Sequence, residues 1–326
     1  MRASQRGNRM TPVQADMPPI VTLTLNPCVD VSYDIPQLIE DQKVHATATR
    51  LDPGGNGINV ARALKRLRIP AWACATVAGE IGMLFERLTS GQIDHPHLVR
   101  IDGETRINTT LQQRQPRAQF EVSATGPVID AATLDRISAE VLELARNGYA
   151  VLTGSRSPGV PPGYYAELCA ALRAQGAKPV VDAQGEALAQ AVAARPFLIK
   201  PNRFELEQLV GRPLPTRDEV IREARVLHAQ GVEWVCVSLG GEGAVLVGAE
   251  TYIGLAPEVA VVSTVGAGDS MVGGLVAALS RHATPADALR LALACGSGTS
   301  QQPGTELFDP AALPGLQAQV KVQLIA

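Results

Sequence analysis

The chain reads as an α/β protein, a mostly parallel sheet flanked by helices with a small β-sheet set apart from it. Three observations predict this. Short β-rich apolar runs alternate with helical patterns along nearly the whole chain, the rhythm of repeated βαβ units. Apolar residues make up 46% of 326 residues, enough to bury a sheet on both faces. Two stretches, residues 32–49 and 98–123, break the rhythm with extended segments and no convincing helix. A β excursion from a single α/β body accounts for both.

The elements follow in order. Residues 21–25 (VTLTL) predict a strand, and residues 58–67, after a glycine-rich loop, a helix. Residues 71–77 predict a strand and 83–88 part of a short helix. Over 131–145, Leu134, Ile137, Val141 and Leu144 recur at helical spacing. Residues 150–153 read as a strand and 164–173 as a helix. Residues 179–182, 197–200 and 234–238 read as strands with helices between them. Residues 244–247 and 258–262 are the last expected strands, and two Ala-rich helices follow.

Composition excludes several classes of function. Lys and Arg number 29 against 32 Asp and Glu, a net charge of -3, so there is no broadly basic surface for nucleic acid. The five cysteines are scattered and form no Cys-x-x-Cys pair. They read as buried free thiols of a reducing compartment, and a cytoplasmic protein is expected. No apolar run approaches the ~18 residues of a membrane span. Residues 1–17 are polar, lack the apolar stretch of a secretory signal, and read as a disordered tail before a domain over 18–326. The five histidines form no metal-binding set.

The strongest motif is STVGAGDSM at 263–271, where a glycine-rich turn opens a helix. The amides of Gly266, Ala267, Gly268 and Asp269 lack partners within that helix and can point at a phosphate. Asp269 then reads in one of two ways. It is an N-cap of the helix, or it is a base that takes a proton from a hydroxyl while the amides hold a phosphoryl group in transit. A second glycine turn, DPGGNGINVA at 52–61, fits a dinucleotide loop poorly. It reads better as a sugar site, with the amides of Gly54 and Gly55 and the carboxamide of Asn59 meeting hydroxyls. No P-loop motif and no protein-kinase catalytic loop is present.

Six segments together resemble the ribokinase-like carbohydrate kinases of the phosphofructokinase B family. They are TLTLNPCVD at 22–30, GGNGINVA at 54–61, TRIN at 105–108, KPNRFE at 200–205, SLGGEG at 238–243 and STVGAGDSM. The resemblance covers about residues 20–310. Within the family it points to the branch of 6-phosphofructokinases, 1-phosphofructokinases and tagatose-6-phosphate kinases. It implies a Rossmann-like body and a small β-sheet lid, here about residues 30–49 and 98–125, through which such proteins often form homodimers. It implies ATP as co-substrate, Mg2+ as cofactor and a phosphosugar as acceptor. Asp269 becomes the general base, and Gly266, Ala267 and Gly268 become the anion hole. Asp30, Lys43, Gly54, Gly55, Asn59, Arg106 and Ser155 fall on substrate positions, Lys43 and Arg106 toward the phosphate. Lys200, Asn202, Ser238, Gly240 and Gly243 fall on nucleotide positions. Asn202 and Glu205 match the motif that positions Mg2+ through water.

Three departures lie on the sugar side. Asn56 stands where relatives carry Gly or Lys. Glu121 stands where the 6-phosphofructokinase pattern has a second phosphate-binding Arg, for which Arg114 or Arg117 could substitute. Residues 154–159 read GSRSPG instead of GSLPPG. TLNP and TRIN lean toward the 1-phosphofructokinase and tagatose-kinase members, while VDAQGEAL and STVGAGDSMVGG lean toward 6-phosphofructokinase. The leading expectation is transfer from ATP to the C1 hydroxyl of fructose 6-phosphate. The alternatives are fructose 1-phosphate or tagatose 6-phosphate as acceptor, and, from another class, a non-catalytic nucleotide or sugar sensor on the same fold.

Overall fold

The computed structural model describes residues 17–325. Most of the expected tail therefore lies outside the described residues; its last member, Met17, packs against a core cluster. The chain opens with β1 (Ile20–Thr24), then β2 (Cys28–Ile35) and β3 (Ala48–Gly54), then α1 (Asn56–Arg66). It continues through β4 (Trp72–Val77), α2 (Gly79–Thr89), β5 (His95–Arg100), β6 (Arg106–Gln113) and β7 (Ala118–Val122). Next come α3 (Ala131–Leu144), β8 (Tyr149–Thr153), α4 (Tyr164–Ala174), β9 (Lys178–Asp182), α5 (Gly185–Ala193) and β10 (Leu198–Ile199). Helices α6 (Arg203–Val210) and α7 (Arg217–Ala229) precede β11 (Trp234–Ser238), β12 (Ala244–Val247) and β13 (Thr251–Leu255). The last elements are α8 (Ala267–Ser280), α9 (Pro285–Ser300), α10 (Leu313–Gln319) and β14 (Lys321–Ile325).

Ten strands form the main sheet in the order β14-β13-β12-β11-β10-β9-β8-β1-β4-β5. From β11 to β5 every pairing is parallel, and β12, β13 and β14 extend the sheet antiparallel. Strand β1 is buried along its whole length, as a central strand covered on both faces should be. One core cluster lies under α3, α4, α5 and α7, and another under α1, α8, α9 and α10.

Four strands, β3-β2-β6-β7, form the separate small sheet. Its pairing is antiparallel except for β2 against β6. This narrows the expected lid at both stretches. Residues 36–47 hold no strand, and β5 belongs to the main sheet beside β4.

The structure corrects the expectations at the C-terminal end. Residues 258–262 are not a strand. The edge of β13 that they would need is taken by β14, with Thr251 opposite Ile325 and Leu255 opposite Lys321. Pro257 also offers no amide to a ladder. Val261 and Val262 are exposed, and the amide of Val262 donates to the Ser300 carbonyl at 2.8 Å. The strand over 197–200 shrinks to Leu198–Ile199. Helix α8 is buried nearly all round, and two glycines permit this. A Cβ on Gly273 would meet Ala63 Cβ at 2.8 Å, and one on Gly274 would meet the Ala292 backbone at the same distance. Close packing on α1 and α9 thus fixes where the first turn of α8 points.

Candidate active site

Strands β1, β8, β9 and β10 end on the same side of the sheet, where an open α/β sheet usually holds its ligands. A cleft of about 650 Å³ lies there between the body and the small sheet, within the size range of small-molecule sites. Asp269 lies on its floor, in the first turn of α8, and is buried. Gly266 caps that helix at φ 76, a left-handed conformation that glycine adopts freely.

Both carboxylate oxygens of Asp269 are held. Asn56 Nδ2 donates to Oδ1 at 2.9 Å and Asn59 Nδ2 donates to Oδ2 at 2.9 Å. Burial pushes the Asp269 carboxyl up from 3.8 to about 6. The charge of Asp182 adds to the rise, while Asn59, Asn56 and Lys200 oppose it. A carboxylate so placed can accept a proton near neutral pH. The Asn59 carboxamide is oriented in turn by Arg62, a buried guanidinium that donates to Asn59 Oδ1 at 3.1 Å. Arg62 can only donate, so the Asn59 oxygen must face it and the NH2 group must face Asp269. Arg62 itself is fixed on Gln92 Oε1 at 2.8 Å and the Thr305 carbonyl at 3.1 Å.

Lys200 ends the strand pairing of β10 and pairs with Asp182, at the end of β9, at 3.2 Å. Burial lowers the pKa of Lys200, but Asp182 and Glu205 outweigh that effect and the net shift is upward. The ammonium therefore stays charged in the cleft wall, close to Gly268. Asn202 and Glu205 also line the cleft. They cap α6 reciprocally, with Asn202 Oδ1 accepting from the Glu205 amide and Glu205 Oε2 accepting from the Asn202 amide, each at 2.8 Å. No cluster of three potential metal ligands exists among the described residues. A single carboxylate with one oxygen committed suits Mg2+ that keeps its own waters and arrives with nucleotide phosphates; it does not suit a cage made of protein.

At the other end of the cleft the small sheet contributes Asp30, from β2. Asn108 Nδ2 and the Cys28 thiol donate to Asp30 Oδ1 at 3.1 and 3.2 Å. Burial raises the Asp30 carboxyl, against those donors and the charge of Arg106. Gly54 must be glycine, since a Cβ there would lie 2.3 Å from Asp30 Oδ2. Arg106, at the start of β6, donates to the Asn26 carbonyl, the Ala124 carbonyl and Ser155 Oγ.

The structure thus gathers Asp30, Gly55, Asn59, Arg106, Ser155, Lys200, Asn202, Glu205, Gly266, Gly268 and Asp269 on one wall-to-wall cleft. Gly54 and Ala267 do not line it, though their chain neighbours Gly55, Gly266 and Gly268 do. Ser238, Gly240 and Gly243 do not line it, although Ser238 bridges to Asn202, which does. Lys43 is not brought in; it is exposed on the 36–47 connection and is absent from the cleft wall. Arg114 and Arg117 are exposed at the β6–β7 turn and also lie off the wall. Sequence reasoning missed Asp182, Asn108, Arg62 and the role of Asn56. Asp182 carried a signal in its place at the C-terminal end of a parallel strand, and Asn108 and Asn56 in lying inside TRIN and GGNGINVA.

The pfkB family carbohydrate kinase model matches residues 18–312. The chain belongs to the pfkB family of carbohydrate kinases. This kinase is 37% identical over 315 residues to a 1-phosphofructokinase of Rhodobacter capsulatus, covering 94% of this chain and 98% of that one. It is 34% identical over 291 residues to the ATP-dependent 6-phosphofructokinase isozyme 2 of Escherichia coli, covering 88% and 94%. Phosphofructokinase-2 of Escherichia coli, solved with potassium, superimposes with a TM-score of 0.88 at 33% identity, over 93% of this chain and 99% of that one. The ribokinase-like fold and an ATP-dependent sugar kinase activity follow. Among the described residues, no helix is long and apolar enough to cross a membrane.

Proposed function

We propose that this kinase transfers the γ-phosphoryl group of ATP to the C6 hydroxyl of fructose 1-phosphate, giving fructose 1,6-bisphosphate. The observation that carries a phosphosugar acceptor is the polarity of the cleft. A buried carboxylate and a glycine turn lie at one end, and Asp30 with Arg106 lies at the other. The choice of ketose draws on the 37% identity to a protein named 1-phosphofructokinase. It reverses the sequence expectation, which put fructose 6-phosphate first. That sugar remains the second reading, favoured by the 34% identity to isozyme 2.

Asp30 accepts sugar hydroxyls, and Arg106 and Ser155 hold the sugar's own phosphate. Asp269 accepts the proton of the reacting hydroxyl as its oxygen attacks phosphorus. The amides of Gly266 and Gly268 hold the phosphoryl oxygens in transit, while that of Ala267 is engaged on the Thr264 carbonyl at 3.3 Å. Lys200 neutralises nucleotide phosphates, while Ser238, Gly240 and Gly243 lie along the nucleotide. Mg2+, held through water by Glu205 and Asn202, supplies charge neutralisation on those phosphates. The outer face of the small sheet, where Leu51, Ile107 and Phe120 are exposed, joins two copies as a homodimer.

The test is ADP release with MgATP against fructose 1-phosphate, fructose 6-phosphate, tagatose 6-phosphate, fructose and ribose. The expected result is a kcat/KM for fructose 1-phosphate about 10-fold or more above every other acceptor, a margin that polar contacts in a pocket readily supply. A preference for fructose 6-phosphate installs the second reading, and a preference for a free sugar overturns both.

A further inference from the structure

We propose that Arg156 is a second cation for the phosphate of the acceptor sugar, acting with Arg106 around Ser155. The inference rests on a phosphosugar acceptor. A phosphate bound in a half-buried wall is held best by more than one charged donor. The positions expected to supply the second do not. Lys43, Arg114 and Arg117 lie off the cleft. Glu121 does line it, with the wrong sign for a phosphate, and accepts a hydrogen bond from Gln119.

Arg156 lies in the turn between β8 and α4, next to Ser155. It is half-buried, and it lines both the main cleft and an adjoining cavity of about 460 Å³. Arg106 and Ser155 line the same two spaces. Of its five N–H donors, Arg156 uses one on the Val160 carbonyl at 2.8 Å. The turn around it is anchored on both sides. Asn26 Nδ2 donates to Ser155 Oγ at 3.2 Å, and Ser157 Oγ donates to the Leu25 carbonyl at 3.0 Å. A donor on so fixed a turn loses little freedom on binding.

Charge balance points the same way. Among the described residues, Arg50, Arg66 and Arg203 are partly buried and each is paired with a carboxylate. Neither Arg106 nor Arg156 has a carboxylate within the 4.0 Å of an ion pair among those residues. Buried Arg62 also lacks a paired carboxylate but is held on Gln92, Asn59 and Thr305; Arg106 and Arg156 instead face one cavity together, an arrangement that an anionic ligand completes.

The test is Arg156→Leu, which restores the residue of the related GSLPPG pattern, beside Arg156→Lys. For Arg156→Leu the KM for the phosphosugar is expected to rise about 10- to 100-fold, as for loss of a charge-assisted hydrogen bond. Discrimination between fructose 1-phosphate and fructose should shrink by the same factor. Arg156→Lys should fall between, and the KM for MgATP should hold. Inorganic phosphate without nucleotide should raise the Tm of the wild type, and less so that of Arg156→Leu. An unchanged phosphosugar KM in a folded variant overturns the proposal. So does a parallel rise in the KM for MgATP with a fall in Tm, the mark of a merely stiffening side chain. If the wild type uses neither phosphofructose, the function reading fails by itself. The phosphate-dependent Tm then decides on Arg156: a difference between wild type and variant supports the cation, and none overturns it.

Discussion

The two ends of the cleft are built differently. The floor around Asp269 is buried and fully engaged: both carboxylate oxygens are held, and the carboxamides that hold them come from the first turn of α1. The small sheet is open. Its strand β7 is mostly exposed, its hairpin end carries the exposed Arg114 and Arg117, and its outer face leaves Leu51 and Phe120 to solvent. The difference teaches where each property of the enzyme resides. The reaction class depends on a site with no room to change. On the proposed reading the acceptor is chosen on this open wall, where a residue such as Glu121, exposed on β7, is accommodated without disturbing the core.

Removing the base should have the largest effect. Asp269→Asn should lower kcat about 10²- to 10⁴-fold, the usual contribution of a general base, with MgATP binding retained by calorimetry. Retained turnover would place the base elsewhere. The same variant probes the energetic cost of the site. A carboxyl raised from 3.8 to about 6 is stabilising when protonated, below its unfolded value, and this stability is lost as pH rises through about 6. On going from pH 8 to pH 5 the wild type should therefore gain Tm, by roughly 2–5 °C, relative to Asp269→Asn, which cannot titrate, and parallel Tm profiles would show that the charge is not strained.

Asn56→Ala should act next, and only on the floor. Its hydrogen bond favours the charged form of Asp269, so its loss moves the base to higher pKa. The acid limb of kcat/KM should shift upward by about one pH unit. A flat comparison of the two pH profiles would remove Asn56 from the base's surroundings. The smallest catalytic effect is expected from the outer face of the small sheet. Leu51→Glu with Phe120→Glu should convert a dimer to monomers in analytical ultracentrifugation while the thermal transition of the body persists. A wild type that is already monomeric would end the dimer reading.

Legibility in the sequence follows the same division. The parallel sheet was readable because its strands are continuous apolar runs, and the floor because STVGAGDSM and GGNGINVA concentrate their chemistry in a few adjacent residues. The partners of Asp269 were not readable as partners. Asn59 and Asn56 stand more than two hundred positions away, and only the packing of α8 on α1 unites them. Residues 258–262 misled because an apolar run signals burial or an extended chain, whereas its pairing depends on which other strand reaches the sheet edge first. Lys43 misled for the reverse reason, since a matching position in a connection without strand pairing fixes no direction for its side chain.

Strand β14 has a consequence for how the molecule is made. The edge of β13 is complete only when residues 321–325 arrive to pair with residues emitted from the ribosome long before. Until then a finished βαβ body exposes a bare ladder of amides and carbonyls, the kind of edge that recruits strands from other chains. With residues 321–325 in place the edge passes to β14, a five-residue strand that opens on Lys321, and a short edge carrying a lysine is a poorer template for other chains.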